Sequence, residues 1–96
     1  ESRVLTEEEL EDWSRLPEDR RWENTLLRFS LKEAIYKSID PFLHRYVGFE
    51  EVSVFPAPDG AARVVHRLEK PLGVESRWHR QDDLFIATAR ARMERP

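Results

Sequence analysis

The sequence predicts an α+β domain in which a long helix packs on a mainly antiparallel sheet, and three observations carry that prediction. Thr6-Glu7-Glu8-Glu9 has the form of a capping box at a helix start. Leu27, Leu31 and Ile35 recur at helical spacing in a stretch that runs toward Pro41. Beyond Gly48 the chain divides into short apolar and β-branched runs, separated by Pro56-Ala57-Pro58-Asp59-Gly60 and by Pro71-Leu72-Gly73. Helices first and strands afterwards make an α+β layer arrangement.

The first helix follows from its cap. Thr6 is placed to accept from the backbone of Glu9, Glu9 to reach back to Thr6, and Leu5 with Leu10 to staple the entry. The glutamates of the first turn suit the positive end of the helix dipole, so capping explains this acidic run better than a metal site. Leu10 and Trp13 give the helix an apolar side before Pro17 ends it. The second helix is expected from about Trp22 or Glu23 to Ile39, because Asp40, preceding Pro41, resists the α region. Phe42, Leu43, Tyr46 and Val47 suggest a separate short turn ending at Gly48. Residues 49–55 read as a strand, the 56–60 segment as a turn, and 62–68 as the returning strand of a hairpin. A short strand is expected over residues 76–80 and a last one over 84–92, although the alanines there also favour helix.

Composition narrows the possibilities. The chain has 96 residues, enough for one domain with a modest core, and 40% hydrophobic with 36% charged residues suits a globular fold rather than a disordered chain. A net charge of −3 gives no global signal for nucleic acid, and the late arginines at 77, 80, 90, 92 and 95 read as solvated surface charges. The absence of cysteine excludes disulfides and thiolate chemistry. No apolar run reaches the length of a membrane span and no leader pattern is visible, so no membrane partner is expected and a cytoplasmic setting is the default. His44, His66 and His79 lack the spacing of a structural zinc site. Ser30 has no Asp/His arrangement that would favour a nucleophile. Trp13, Trp22 and Trp78 are expected as core or interface aromatics.

The most informative stretch is Phe29-Ser30-Leu31-Lys32-Glu33-Ala34-Ile35-Tyr36-Lys37. At about 100° per residue, Glu33 and Lys37 lie one turn apart on one face. Leu27, Leu31, Ala34, Ile35 and Ser38 form a mostly apolar strip elsewhere, with Lys32 and Tyr36 on a third. The helix can therefore bury one side and present a carboxylate and an ammonium on another. The plain alternative is a surface Glu–Lys pair worth about 0.2–0.5 kcal/mol, and spacing alone does not separate the two.

The run from Leu26 to Val54 resembles the 4′-phosphopantetheinyl transferase superfamily. Its [W/F]-S-x-K-E-[A/S]-x-x-K signature is matched by Phe29, Ser30, Lys32, Glu33, Ala34 and Lys37. Pro41 and Gly48-Phe49-Glu50-Glu51-Val52 look like the continuation in larger, two-lobed members, and Arg3-Val4-Leu5-Thr6-Glu7-Glu8-Glu9-Leu10 resembles the R-x-L-T-x-x-E lead-in. The resemblance implies an enzyme that moves 4′-phosphopantetheine from coenzyme A to a serine of an acyl or peptidyl carrier protein, releasing adenosine 3′,5′-bisphosphate. Such enzymes serve polyketide, nonribosomal peptide or fatty-acid biosynthesis. Glu33 is implied as a catalytic Mg²⁺-ligating carboxylate, Lys37 as a catalytic and cofactor-binding lysine, and Lys32 as a further contact to coenzyme A phosphates.

One departure shapes the expected organisation. In the family, the position of Glu33 works with an Asp-x-Glu pair just before the lead-in, and the later acidic pairs Glu50-Glu51 and Asp82-Asp83 stand in the wrong order to replace it. Residues 1–96 are therefore expected to be the C-terminal lobe of a free-standing or synthase-integrated enzyme. That lobe would lack the acidic strand and an N-terminal partner lobe, and would be inactive alone. A complete small synthase with sites between subunits would begin with its own acidic strand. The other class is a non-catalytic module of the same fold that binds carrier protein or a partner lobe.

Overall fold

A computed structural model describes residues 5–94. Arg3 and Val4 of the lead-in and Arg95 of the late arginines lie outside the described residues. Helices α1 (Glu7–Ser14) and α2 (Glu18–Leu43) precede a 3-10 turn at Phe49–Glu51. Four strands follow: β1 (Val52–Pro56), β2 (Ala61–His66), β3 (Leu72–Gln81) and β4 (Leu84–Met93). They form an antiparallel meander in the order β1-β2-β3-β4, with α2 across one face. This is the α+β arrangement that the sequence predicts.

The capping box forms as its residues dictate. Thr6 Oγ1 accepts from the Glu9 amide at 3.1 Å, and Glu9 Oε1 accepts from the Thr6 amide at 2.8 Å. Helix α2 is longer at both ends than the sequence suggests. Pro17 takes the position before Glu18, whose carboxylate and that of Asp19 suit the first turn. At the other end, Pro41 lies inside the helix instead of stopping it. It sits in the final turn, where it forfeits one backbone bond, and the burial of Leu43, worth about 1.5–3 kcal/mol, offsets that loss. His44 then closes the helix in the left-handed region (φ 55°), its amide donating to the Asp40 carbonyl at 2.9 Å. Phe42 and Leu43 thus belong to α2, not to a separate turn before Gly48.

Residues 49–51 also depart from the expected strand. The Glu51 carboxylate accepts from the Gly48 amide at 3.0 Å, and the Glu51 amide donates to the Gly48 carbonyl at 3.0 Å, winding them into a 3-10 turn. The 56–60 turn is as expected, with Gly60 at φ 96°. Strand β3 begins at Leu72, earlier than its expected start. Ten residue pairs with β4, from Leu72↔Met93 to Gln81↔Leu84, outweigh the local punctuation of Pro71 and Gly73.

Leu31, Ile35 and Ile39 are fully buried, with Leu27 and Leu43 extending the strip, and Val52, Val54 and Leu72 answer from the sheet. Ala87, Ala89 and Ala91 of β4 point to the same side. That row of small side chains on a strand settles the helix-or-strand ambiguity of residues 84–92 through packing. Trp13 is half-buried, its indole N–H bonded to Thr25 at 2.9 Å and to the Arg21 carbonyl at 3.1 Å. Trp78 is half-buried with its indole donating to the Ala57 carbonyl at 3.0 Å, whereas Trp22 is 71% exposed and is no part of the core.

Candidate functional site

Burial of Leu31 and Ile35 orients the middle of α2. Glu33 lies roughly 160° around the helix from both, which turns its side chain away from the sheet, and Lys37 follows one turn later. Both are exposed. Neither makes a hydrogen bond or an ion pair among the described residues, although a surface Glu–Lys pair is what their spacing favours. An aromatic cluster flanks them. Phe29 stacks on Phe49 with ring centroids 6.1 Å apart, and Tyr36 meets Phe49 edge-on at 5.4 Å. Burial, and then the negative charge of Glu9, pushes the Tyr36 hydroxyl well above its ordinary range. Toward the helix N-terminus, Leu26 (41% exposed) and Trp22 continue the same face.

Lys32 is placed differently. Its ammonium lies in the interior, 2.7 Å from Glu9 Oε1, and donates to the Phe49 carbonyl at 3.0 Å. Neither Lys32 nor Glu9 has any solvent exposure. Desolvation pushes the Lys32 pKa down, while the hydrogen bond and charge of Glu9 work the other way. Glu9 also accepts from the Val54 amide at 2.8 Å, so one carboxylate joins the cap of α1, the middle of α2 and strand β1. Thr6 adds a side-chain bond to Ser53 at 2.7 Å. Next to this junction the buried Arg28 binds Asp12, Asn24 and the Val54 carbonyl. The sequence-predicted set is thus divided: Glu33 and Lys37 share a surface, and Lys32 sits inside. Glu9 is the residue that sequence reasoning took for a cap alone. Its signal was present, since it supplies the last letter of the R-x-L-T-x-x-E lead-in.

Among the described residues, no three His, Cys, Asp or Glu side chains converge as a metal cluster. His44 caps α2, and His66 bonds the Leu72 carbonyl through Nε2 at 2.8 Å. Glu33 is an exposed hard-oxygen donor. Mg²⁺ commonly takes only one or two protein carboxylates with phosphate oxygens and water, so Glu33 fits as one ligand and does not make a site by itself. A separate clamp holds the segment after α2. Arg45 bridges Glu51 and Glu69 at 2.7 Å each, and its hydrogen bond holds the Glu69 carboxyl down at about 2. No helix among the described residues is long and apolar enough to cross a membrane.

No curated protein matches the chain. A protein-family comparison matches residues 1–89 to the 4′-phosphopantetheinyl transferase superfamily, whose members transfer phosphopantetheine to carrier proteins with coenzyme A as donor. The match runs through the capped lead-in, the signature helix and the sheet as far as Ala89 in β4. On that extent of agreement, the chain belongs to the 4′-phosphopantetheinyl transferase superfamily.

Proposed function

We propose that the Glu33/Lys37 face of α2 forms part of a site that transfers 4′-phosphopantetheine from coenzyme A to a serine of an acyl or peptidyl carrier protein. Polyketide, nonribosomal peptide or fatty-acid biosynthesis would use such a carrier. The observation that carries this reading is the unengaged pair itself: a carboxylate and an ammonium side by side, free of partners among the described residues, on a helix whose opposite side is fixed in the core. Glu33 would hold Mg²⁺, with the remaining ligands coming from phosphate oxygens, water and acidic groups outside the described residues. When bound, the ion supplies charge neutralisation at the diphosphate.

Lys37, one turn along, would sit against the phosphate oxygens and offset the charge that develops as the bond to adenosine 3′,5′-bisphosphate breaks. Lys32 would act on the same region from within, through its bond to the Phe49 carbonyl. On this reading residues 1–96 are the C-terminal lobe of a two-lobed enzyme. Exposed Trp22 and Leu26, on the same helix face, support cover by a partner lobe.

The test uses the full-length enzyme. Glu33→Gln should preserve the far-UV circular dichroism spectrum, sharply lower carrier-protein loading and flatten its Mg²⁺ dependence. Lys37→Ala should lower loading by about 10²–10³-fold, as expected when a positioned cation is removed. Near-normal loading by both variants across a Mg²⁺ titration would reduce the pair to ordinary surface charges.

A further inference from the structure

The sheet face turned away from α2 has a charge unlike that of the chain as a whole. Side chains alternate across a strand, and the positions packed against α2 are even-numbered in β2 and β3 and odd-numbered in β4. The opposite positions bring Arg63 of β2, Arg77 of β3, and Arg90 and Arg92 of β4 to one outer face, with Arg67 just past the end of β2; Glu75 of β3 lies among them and the Glu94 carboxylate reaches over Gly73. The whole chain has 16 Lys and Arg against 19 Asp and Glu, so this concentration of arginine is a local segregation. The late arginines that read as scattered surface charge are therefore partly collected here. Arg80 is instead paired with Glu23 at 2.9 Å.

The face also has relief. Strands β2 and β3 pair only at Ala61↔Arg77 and Ala62↔Ser76 and then separate. The opening is a groove of about 730 Å³ with Arg63, Arg77 and Arg90 along it against the single carboxylate of Glu75, and with Thr88 beside them. Arg67 is paired with Glu8 at 2.7 Å, and Arg90 is 3.7 Å from Glu75. Arg63, Arg77 and Arg92 make no ion pair among the described residues, although Glu8, Glu11 and Asp12 line the hollow beside Arg63 and Glu75 and Glu94 line the one beside Arg92; the Arg63 guanidinium lies 4.4 Å from the Phe55 ring centroid. A guanidinium presents its donors in a planar fork, which suits bidentate carboxylate recognition.

We propose that this outer sheet face docks an acidic segment of a partner protein, whose carboxylates enter the groove between β2 and β3. Exposed Val65 (47%) and Ile86 (37%) alternate with the arginines and offer apolar contacts that a protein side chain can use. A single-stranded nucleic acid would want exposed aromatic platforms, and Phe55, the aromatic at this face, is already covered by Arg63. The groove lies across the sheet from α2, on the far side of the domain from Glu33 and Lys37. A partner docked there leaves the proposed transfer site open and is distinct from the molecule being modified. The inference does not depend on the transfer reading.

Fluorescence anisotropy with a short fluorescein-labelled polyglutamate peptide tests it, with amide chemical-shift mapping to locate the contact. Binding should weaken as salt rises. Arg63→Ala/Arg77→Ala should weaken it roughly fivefold to tenfold, while Arg20→Ala/Lys70→Ala, an equal loss of charge away from this face, should change it by less than about twofold. Shifts should fall on residues 61–65, 74–77 and 88–92. No binding, equal loss in both double variants, or shifts centred on the Glu33 face would overturn the proposal. Tighter binding of single-stranded DNA or of phosphatidylglycerol vesicles at the same face would overturn its commitment to an acidic protein.

Discussion

Lys32 is the residue for which fold and function make the most clearly separable demands. Its ammonium and the Glu9 carboxylate are 2.7 Å apart with no solvent access. Removing one partner from a buried pair costs about 3–5 kcal/mol, because the other charge stays behind uncompensated. Lys32→Met should fall at the lower end, near 3 kcal/mol, since Glu9 would keep the amides of Thr6 and Val54, both at 2.8 Å. Glu9→Leu should cost more. It strands the ammonium, and it also dismantles the capping box, worth roughly 1 kcal/mol. Taking about 2.1 cal/mol/K of unfolding entropy per residue, 3 kcal/mol lowers the melting temperature of a chain this size by about 15 °C. The double variant should lose less than the sum of the single ones, by about 2 kcal/mol or more, because no lone buried charge remains. Urea unfolding of the four proteins gives the cycle. Additivity within about 0.5 kcal/mol, or a loss below about 1 kcal/mol for Lys32→Met, would refute the buried junction. Unchanged stability with weakened coenzyme A binding would instead identify Lys32 as a direct phosphate contact.

Two further outcomes follow from the turn and the clamp. Gly60→Ala should destabilise by about 1–3 kcal/mol in thermal unfolding, since a Cβ there would meet the Trp78 carbonyl oxygen at 2.8 Å with φ at 96°; a neutral result would place the turn elsewhere. The Glu69 carboxyl is held at about 2 by Arg45, so its contribution is complete above the ordinary carboxylate range near 4.5 and is lost as pH falls through about 2. Carbon-detected NMR titration should give that low midpoint, and a midpoint near 4.5 would mean that Arg45 does not hold it.

What was legible in the sequence was what is decided locally. The Thr6–Glu9 capping box needs only four residues, and the Leu27/Leu31/Ile35 strip needs only helical periodicity. The exposed placement of Glu33 and Lys37 follows from that strip. What escaped was decided by distant partners. Glu9 looked like a cap because its other ligands, Lys32 and Val54, come from α2 and β1. Lys32 was legible only as one of a third strip with Tyr36 and, through the family resemblance, as a phosphate contact, because nothing nearby in sequence announces that Glu9 of α1 will meet it. Pro41 was read as a stop because its local penalty is visible, whereas the burial of Leu43 that offsets it belongs to the assembled core. Gly73 concealed the start of β3 for the same reason: the ladder to β4 is a long-range gain.

The separation of β2 from β3 has a dynamic meaning. With two residue pairs at the seam, against ten between β3 and β4, the sheet behaves as two ribbons fastened to a common spine, α2. The first ribbon is tied to that spine by Arg28 and Lys32, and the second by the alanine row of β4. Shear along the seam breaks few backbone bonds, so displacing the β1–β2 ribbon against β3–β4 costs less in the ladder than parting β3 from β4. The 3-10 turn carrying Phe49 moves with that ribbon, and it rests against Phe29 and Tyr36. Any displacement of the first ribbon would therefore reach the Glu33/Lys37 face through the contacts of Phe49 with Phe29 and Tyr36.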